Sequence, residues 1–158
     1  RRGARTALRR PSACPVLLFV GRIQPRKGPD VAVRALAELK RPDALLLIVG
    51  GASGLEGGEE MELLQALITE LGVDGQVRFV EPQPHHILST YYRAADAVIV
   101  PSPSESFGLV GLEASAGAIP GVAGDSGGRL TLWGPGPTAV RRTGRPPAWP
   151  RRCCPGPG

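Results

Sequence analysis

The chain has 158 residues, of which 42% are apolar, which suits one folded domain and is short for two. No apolar run approaches the ~20 residues that a transmembrane helix needs, so the sequence predicts no transmembrane segment. The net charge of +5 could indicate a nucleic-acid partner, but 11 of the 19 basic residues lie in two flanks without acidic residues, 1–15 and 129–158. The part of the chain between the flanks holds the remaining eight basic residues and all 14 acidic residues, so it is negatively charged. We therefore expect no nucleic-acid binding.

The two basic flanks lack the periodicity of folded elements. Residues 1–14 are rich in Arg, Ala and Pro, and we predict that they are disordered or foreign to the domain. Residues 129–158 are rich in Pro, Gly and Arg, a composition that buries too little apolar surface to fold, so we predict a disordered tail. Their sequence also resembles an out-of-frame translation. The predicted domain spans 15–128 and holds no cysteine, which is typical of cytoplasmic proteins.

Short apolar runs alternate with amphipathic stretches through this domain. The runs have the length of strands that are buried on both faces, and the stretches between them have helical spacing. The predicted strands are Val16–Val20, Leu45–Val49, Val77–Val80, Ala97–Val100 and 120–123. One predicted helix begins at Pro29, and the others span 59–71, 85–94 and 107–117. This alternation predicts an α/β fold, a Rossmann-like parallel sheet with helices on both faces.

The loop after the first strand is a candidate anion site. Ligands of such a sheet bind at the carboxyl ends of its strands, and this loop reads GRIQPRKG, with Arg22 and Lys27. Two fixed cations at this spacing suit a diphosphate, whose charge extends over more than one phosphate group. The alternative is that both side chains are only solvated, as most basic loop residues are.

The loop after the fourth strand reads SPSESFGLVGLE and holds two carboxylates, Glu105 and Glu113. Eight residues of helix rise ~12 Å, which is too far for an acid and a base that act on one bond but suits separate hydroxyls of an elongated ligand. A helix beginning near Phe107 would direct the N–H groups of Phe107, Gly108 and Leu109 at the same region, where phosphate is favoured. The alternative is a capped helix with two surface acids.

The two loops together describe a pocket for a sugar nucleotide, and the segments around them resemble family 4 glycosyltransferases of the GT-B fold. The resemblance covers about 15–128 and rests on LFVGRIQPRKGPDV, FVEPQP, YYRAADAVIVPSPSESFGLVGLEA and GDSGG. Within that family, the chain more specifically resembles the actinobacterial glycosyltransferases of mycothiol synthesis. It implies the C-terminal, donor-binding half of a GT-B enzyme, and retaining transfer of N-acetylglucosamine from UDP-GlcNAc to 1D-myo-inositol 3-phosphate.

The resemblance also implies roles for particular residues of this chain. Arg22 and Lys27 would hold the diphosphate and stabilise the leaving UDP. Glu105 would bind the sugar hydroxyls. The predicted catalytic residues are Arg22, Lys27 and Glu105. Glu113 would bind the ribose hydroxyls, and the loop at Gln83 would contact the uracil.

The resemblance requires no cofactor. It allows a structural Mg²⁺ held by backbone oxygens of Tyr92, Arg93 and Ala95, and a homodimer of the full-length protein. Where the family reads A-C-G-T-P-V-V-A, this chain reads AGAIPGVA, so Ile119 replaces a threonine hydroxyl near the site. The family's N-terminal domain supplies the acceptor site and does not occur in this sequence, so we expect no transferase activity from the chain alone.

Three other interpretations stay open. A non-catalytic nucleotide-binding module would bind UDP without transferring a sugar. A non-functional gene remnant would show no cooperative thermal unfolding. An NAD-dependent Rossmann protein is disfavoured, because GGASG after the second strand does not give the G-x-G-x-x-G pattern of dinucleotide-binding loops.

Overall fold

The computed structural model describes residues 3, 5, 14–52, 55–101, 121–123 and 139–141. The strands are β1 (Val16–Val20), β2 (Leu45–Val49), β3 (Val77–Val80), β4 (Ala97–Val100), β5 (Gly121–Ala123) and β6 (Ala139–Arg141). The α-helices are α1 (Pro29–Glu38), α2 (Leu55–Glu70) and α3 (His85–Ala94). The strands pair in parallel in one sheet of order β3-β2-β1-β4-β5-β6. The predicted Rossmann-like α/β fold is confirmed.

The apolar runs of β1, β2 and β4 form strands because both of their faces are buried. In β1, Leu17 and Phe19 pack into a cluster with apolar side chains of α1 and α2. The alternate residues Val16 and Leu18 belong to a second cluster, which includes side chains of α3. Successive side chains of a strand point to opposite faces, so the sheet separates two apolar cores. A strand with no exposed face has no position that favours a polar residue.

Helix α2 begins earlier than its sequence pattern predicts. The amphipathic pattern predicts a start at residue 59, whereas the helix starts at Leu55 and includes Gly57, although glycine disfavours helix interiors. A Cβ atom on Gly57 would lie 2.9 Å from the backbone carbonyl carbon of Ala52. Close packing of the helix against the loop after β2 therefore needs a glycine there. The helix predicted over 107–117 lies outside the described residues.

Arg5 packs against the domain, although the sequence analysis left residues 1–14 out of it. Arg5 is 5% exposed, and its guanidinium donates to the carbonyl oxygens of Ala94 at 3.1 Å and Cys14 at 3.2 Å. It also forms an ion pair with Asp96, whose carboxylate accepts the N–H of Val16 at 2.8 Å. The local sequence pattern cannot predict this role, because the arginine binds partners about 90 residues away along the chain.

The described part of the predicted tail is strand β6, which pairs with β5. The prediction of a disordered tail therefore does not apply to residues 139–141. The other residues of 129–158 lie outside the described part of the chain, so the domain boundaries stay a prediction. Within the described ranges, no helix has the length and apolar character needed to cross a membrane.

Candidate functional site

The order of the strands sets where a ligand can bind. From β1, the sheet continues through β2 to β3 on one side and through β4 to β6 on the other. In doubly wound sheets, the crevice lies at the carboxyl ends of the strands where the order reverses, which here is between β1 and β4. The two predicted ligand loops follow these two strands in the sequence, so the topology agrees with their assignment to one site.

The loop after β1 contacts the end of β4 directly. A Cβ atom on Gly28 would lie 3.2 Å from the Cβ and Cγ atoms of Pro101, the residue that follows β4. Gly28 also has a φ of +68°, a conformation that glycine adopts without steric cost. The cationic loop therefore ends beside the start of the SPSESFGLVGLE segment. The predicted ligand residues of that segment, Glu105, Phe107, Gly108, Leu109 and Glu113, lie outside the described residues.

Lys27 is held at the end of a short 3-10 turn, Pro25–Lys27. Its N–H donates to the carbonyl oxygen of Gln24 at 2.9 Å. Lys27 is half-buried, whereas Arg22 and Arg26 are exposed. The loop GRIQPRKG carries these three cations and no acidic residue, so its electrostatic potential favours an anion at the carboxyl edge of the sheet.

Arg22 is fixed through its two backbone neighbours. The N–H of Gly21 donates to the carbonyl oxygen of Val49 at 3.0 Å, and the N–H of Ile23 donates to Gly51 at 3.1 Å. Ile23 is fully buried. Because side chains alternate along an extended segment, the burial of Ile23 directs Arg22 to the surface, where it is exposed.

Gln83 lies at the same edge of the sheet as the cationic loop. It follows β3, is half-buried, and its Nε2 donates to the carbonyl oxygen of Glu81 at 2.9 Å. The adjacent Pro82 packs on the loop after β2, since a Cβ atom on Gly51 would lie 3.3 Å from its Cγ. The loops after β1, β2 and β3 therefore lie side by side at one edge of the sheet, and this edge holds Gln83, Arg22 and Lys27.

The three residues predicted to hold a metal lie at the opposite edge of the sheet. Helix α3 ends at Ala94 and β4 begins at Ala97, so this junction precedes the strand instead of following it. Four strand residues separate the two edges by about 13 Å. The structure therefore does not bring Tyr92, Arg93 and Ala95 to the cationic loop.

Carbonyl oxygens at this junction are of the type that binds Mg²⁺, but protein groups already use two of them. The last carbonyl groups of a helix lack intrahelical partners, and carbonyl oxygens are ligands that hard cations accept. The guanidinium of Arg5 already uses the carbonyl of Ala94 in this turn, and the oxygen of Tyr92 accepts the N–H of Ala95 at 3.0 Å. Among the residues that the structure describes, no three His, Cys, Asp or Glu side chains cluster as metal ligands.

Two acidic residues whose proximity the sequence pattern does not show, Asp30 and Glu60, lie on α1 and α2. Burial raises the pKa of the Glu60 carboxyl above its ordinary value, and the carboxylate of Asp30 raises it further. Asp30 lies in the first turn of α1, at the same edge as the cationic loop. The two carboxyl groups are 30 residues apart in the sequence and become neighbours only because the helices pack.

A doubly wound parallel sheet with a cationic loop at its switch point is an architecture that many nucleotide-binding α/β domains share. The family model for glycosyl transferases group 1 matches residues 2–140. The D-inositol 3-phosphate glycosyltransferase of Frankia alni is 48% identical over 139 residues, which cover 84% of this chain and 34% of the relative.

Two solved structures share the fold. Sucrose-phosphate synthase of Thermosynechococcus elongatus has a TM-score of 0.81 at 35% identity, over 89% of this chain and 35% of that chain. HepE of Anabaena, solved in complex with UDP and glucose, has a TM-score of 0.78 at 26% identity, over 89% of this chain and 37% of that chain.

The chain therefore belongs to the glycosyl transferases group 1 family. It spans about a third of the length of the Frankia relative. The family match extends over 2–140, beyond the predicted domain of 15–128 at both ends, and takes in Arg5 and most of β6.

Proposed function

We propose that this chain is the donor-binding part of a retaining glycosyltransferase that transfers N-acetylglucosamine from UDP-GlcNAc to 1D-myo-inositol 3-phosphate. The observation that carries the proposal is the contact of Gly28 with Pro101, because it fixes the cationic loop at the end of β4, the strand that Glu105 and Glu113 follow in the sequence. The UDP and glucose bound to HepE support the donor class, and the name of the Frankia relative supports the acceptor.

The cations act on the leaving group. Transfer breaks the bond between C1 of the sugar and the β-phosphate oxygen, and the bonding electrons leave with UDP. Negative charge therefore grows on the diphosphate, where Arg22 and Lys27 supply positive charge that is already in position. The acceptor hydroxyl forms the new bond to C1 with retained stereochemistry, and its proton passes to the departing phosphate.

The other proposed contacts bind and orient the donor. Glu105 accepts hydrogen bonds from the sugar hydroxyls and Glu113 from the ribose hydroxyls, while the backbone N–H groups of Phe107, Gly108 and Leu109 face the phosphates. The loop at Gln83 contacts the uracil, and its position at the carboxyl edge supports that role.

The rest of the proposal concerns the full-length enzyme. We expect the acceptor site to lie outside this chain, so that the chain alone binds the donor without transferring the sugar. We place the full-length enzyme in the cytoplasm and expect it to need no cofactor. We also expect it to form a homodimer, which light scattering would test. Mg²⁺ held by backbone oxygens of Tyr92, Arg93 and Ala95 would have a structural role and would not act on the diphosphate, because the junction of α3 and β4 lies at the edge opposite the cations.

The test is calorimetric titration of the chain with UDP and with UMP. The double variant Arg22→Ala, Lys27→Ala should bind UDP about 100-fold more weakly, since each charge-assisted contact is worth about tenfold. It should weaken UMP binding by a smaller factor, because UMP lacks the β-phosphate and keeps only the α-phosphate as a partner for the cations.

The matched control removes two exposed cations elsewhere, Arg34 on α1 and Arg78 on β3. Arg34→Ala with Arg78→Ala changes the net charge equally and should leave UDP affinity within about twofold. If both double variants lose the same amount of UDP affinity, the loss comes from the overall charge of the chain, and the proposed site is overturned. Sugar transfer by the chain when it is supplied with the missing domain would separate an enzyme from a nucleotide-binding module.

A further inference from the structure

The pairing of β1 and β2 does not stop where the strands end. Within the strands, each β1 residue faces a β2 residue 29 positions later, from Val16 opposite Leu45 to Val20 opposite Val49. Beyond them, Ile23 pairs in parallel with Ala52, which is the same offset of 29. The cationic loop therefore begins as an extension of the sheet.

Gly50 lies where this extension is tightest. Gly50 has a φ of +152°, and a Cβ atom on it would lie 1.9 Å from the carbonyl oxygen of Gly21. Its N–H donates on the other side to Val80 at the end of β3, at 2.9 Å. Gly50 is thus held between the ends of β1 and β3, and any side chain there must displace a backbone carbonyl.

The displaced carbonyl belongs to the residue before Arg22. A Cβ atom needs about 3 Å to a neighbouring heavy atom, so alanine at position 50 would move Gly21 by about 1 Å. Ile23 is fully buried and cannot follow without opening the core. Arg22 lies between the displaced Gly21 and the fixed Ile23, so its backbone must change conformation to take up the displacement.

We propose that Gly50 is a positioning residue for Arg22, because its lack of a side chain allows the end of β1 to approach the end of β2 and so fixes the guanidinium at the crevice. The inference rests on the proposed function of Arg22 as a diphosphate ligand. Catalytic and binding groups lose orders of magnitude in effect when they are misplaced by 1 Å. The sequence signal is the Gly-Gly pair after β2, which by itself predicts only a loop.

A double-mutant cycle on UDP affinity tests the inference. Gly50→Ala alone should weaken UDP binding about tenfold, whereas in a chain that already carries Arg22→Ala it should weaken binding by less than about twofold. The control is Gly72→Ala, at a φ of +66° with nothing within 4 Å of the added Cβ. It should lower the melting temperature and leave UDP affinity unchanged.

Each outcome has a separate meaning. If Arg22→Ala weakens UDP binding but the two losses are additive, Gly50 does not act through Arg22, and this inference is overturned while the proposed site stands. If Arg22→Ala does not weaken UDP binding, the proposed diphosphate role of Arg22 fails first.

A second variant covers the case in which Gly50→Ala does not fold. Ile23→Val adds no atoms and loosens the opposite anchor of Arg22, so it should weaken UDP binding about threefold with Arg22 present and not at all with Arg22→Ala. Val33→Ala, at an equally buried position of α1 in the same apolar cluster, is the control and should not change UDP affinity. An equal loss of affinity in the two core variants would contradict the inference.

Discussion

The two edges of the sheet hold arginine residues in opposite settings. At the amino edge, Arg5 is 5% exposed, and its guanidinium is used by two carbonyl groups and by Asp96. At the carboxyl edge, Arg22 is exposed and is fixed through its backbone neighbours instead of its side chain.

The difference separates a structural cation from a ligand-binding one. A buried guanidinium must find its hydrogen-bond acceptors within the protein, because burial of an unsatisfied charge is costly. An exposed guanidinium on a rigid backbone keeps its donors accessible to an anion from solution. We therefore expect substitutions at the amino edge to change stability and substitutions at the carboxyl edge to change UDP affinity.

The largest expected effect is that of Arg5→Ala. It removes the ion pair with Asp96 and the hydrogen bond to the carbonyl of Ala94, which should cost about 3 kcal/mol in the free energy of unfolding. Urea denaturation measures this loss. If the variant is as stable as the original chain, Arg5 is not part of the folded domain.

An intermediate effect is expected for Gly28→Ala. The left-handed backbone costs about 1–2 kcal/mol with a side chain, and the added Cβ presses on Pro101 at 3.2 Å. Because this contact joins the two ligand loops, we expect weaker UDP binding in addition to the loss of stability. Gly72→Ala, which has a similar φ in open space, should lose only stability. Unchanged UDP affinity in the Gly28 variant would contradict the shared site.

A smaller effect is expected for Arg41→Ala. Arg41 pairs with Asp43 at 2.7 Å, but their side chains are 39% and 37% exposed, and exposed ion pairs contribute at most about 1 kcal/mol. The same denaturation measurement compares it with Arg5→Ala. A loss as large as that of Arg5→Ala would show that burial does not distinguish the two arginines.

The smallest expected effect has the opposite sign. The raised pKa of Glu60 means that the folded chain binds this proton more tightly than the unfolded chain, so stability falls as pH rises from the ordinary carboxyl pKa through the raised one. Glu60→Gln should therefore stabilise the chain at pH 7, by about 0.5 kcal/mol. The gain should vanish near pH 3, well below the ordinary carboxyl pKa, where the carboxyl is protonated in both the folded and the unfolded state. Melting curves at the two pH values measure it, and an equal gain at both would exclude the carboxyl charge as the cause.

Local pattern predicted most of the scaffold and only part of the site. The runs Val16–Val20 and Leu45–Val49 are strands with the predicted bounds, because burial on both faces leaves a continuous apolar signature. Arg22 and Lys27 were predicted as ligand residues because they follow a strand, and all carboxyl ends of a parallel sheet meet at one edge; their role stays a prediction. Arg5 was missed, because a single residue that pairs with a distant part of the chain has no periodic neighbours.

The sequence by itself determined that this is a parallel α/β domain with a cationic loop at a strand end, since period and composition are local properties. Only the tertiary structure decided that Gly28 touches Pro101, that Gly50 must lack a side chain and that α2 begins at Leu55. Each of these depends on a backbone or side-chain atom that belongs to a different element. Such contacts exist only after the strands have taken their order in the sheet, so no stretch of the chain encodes them alone.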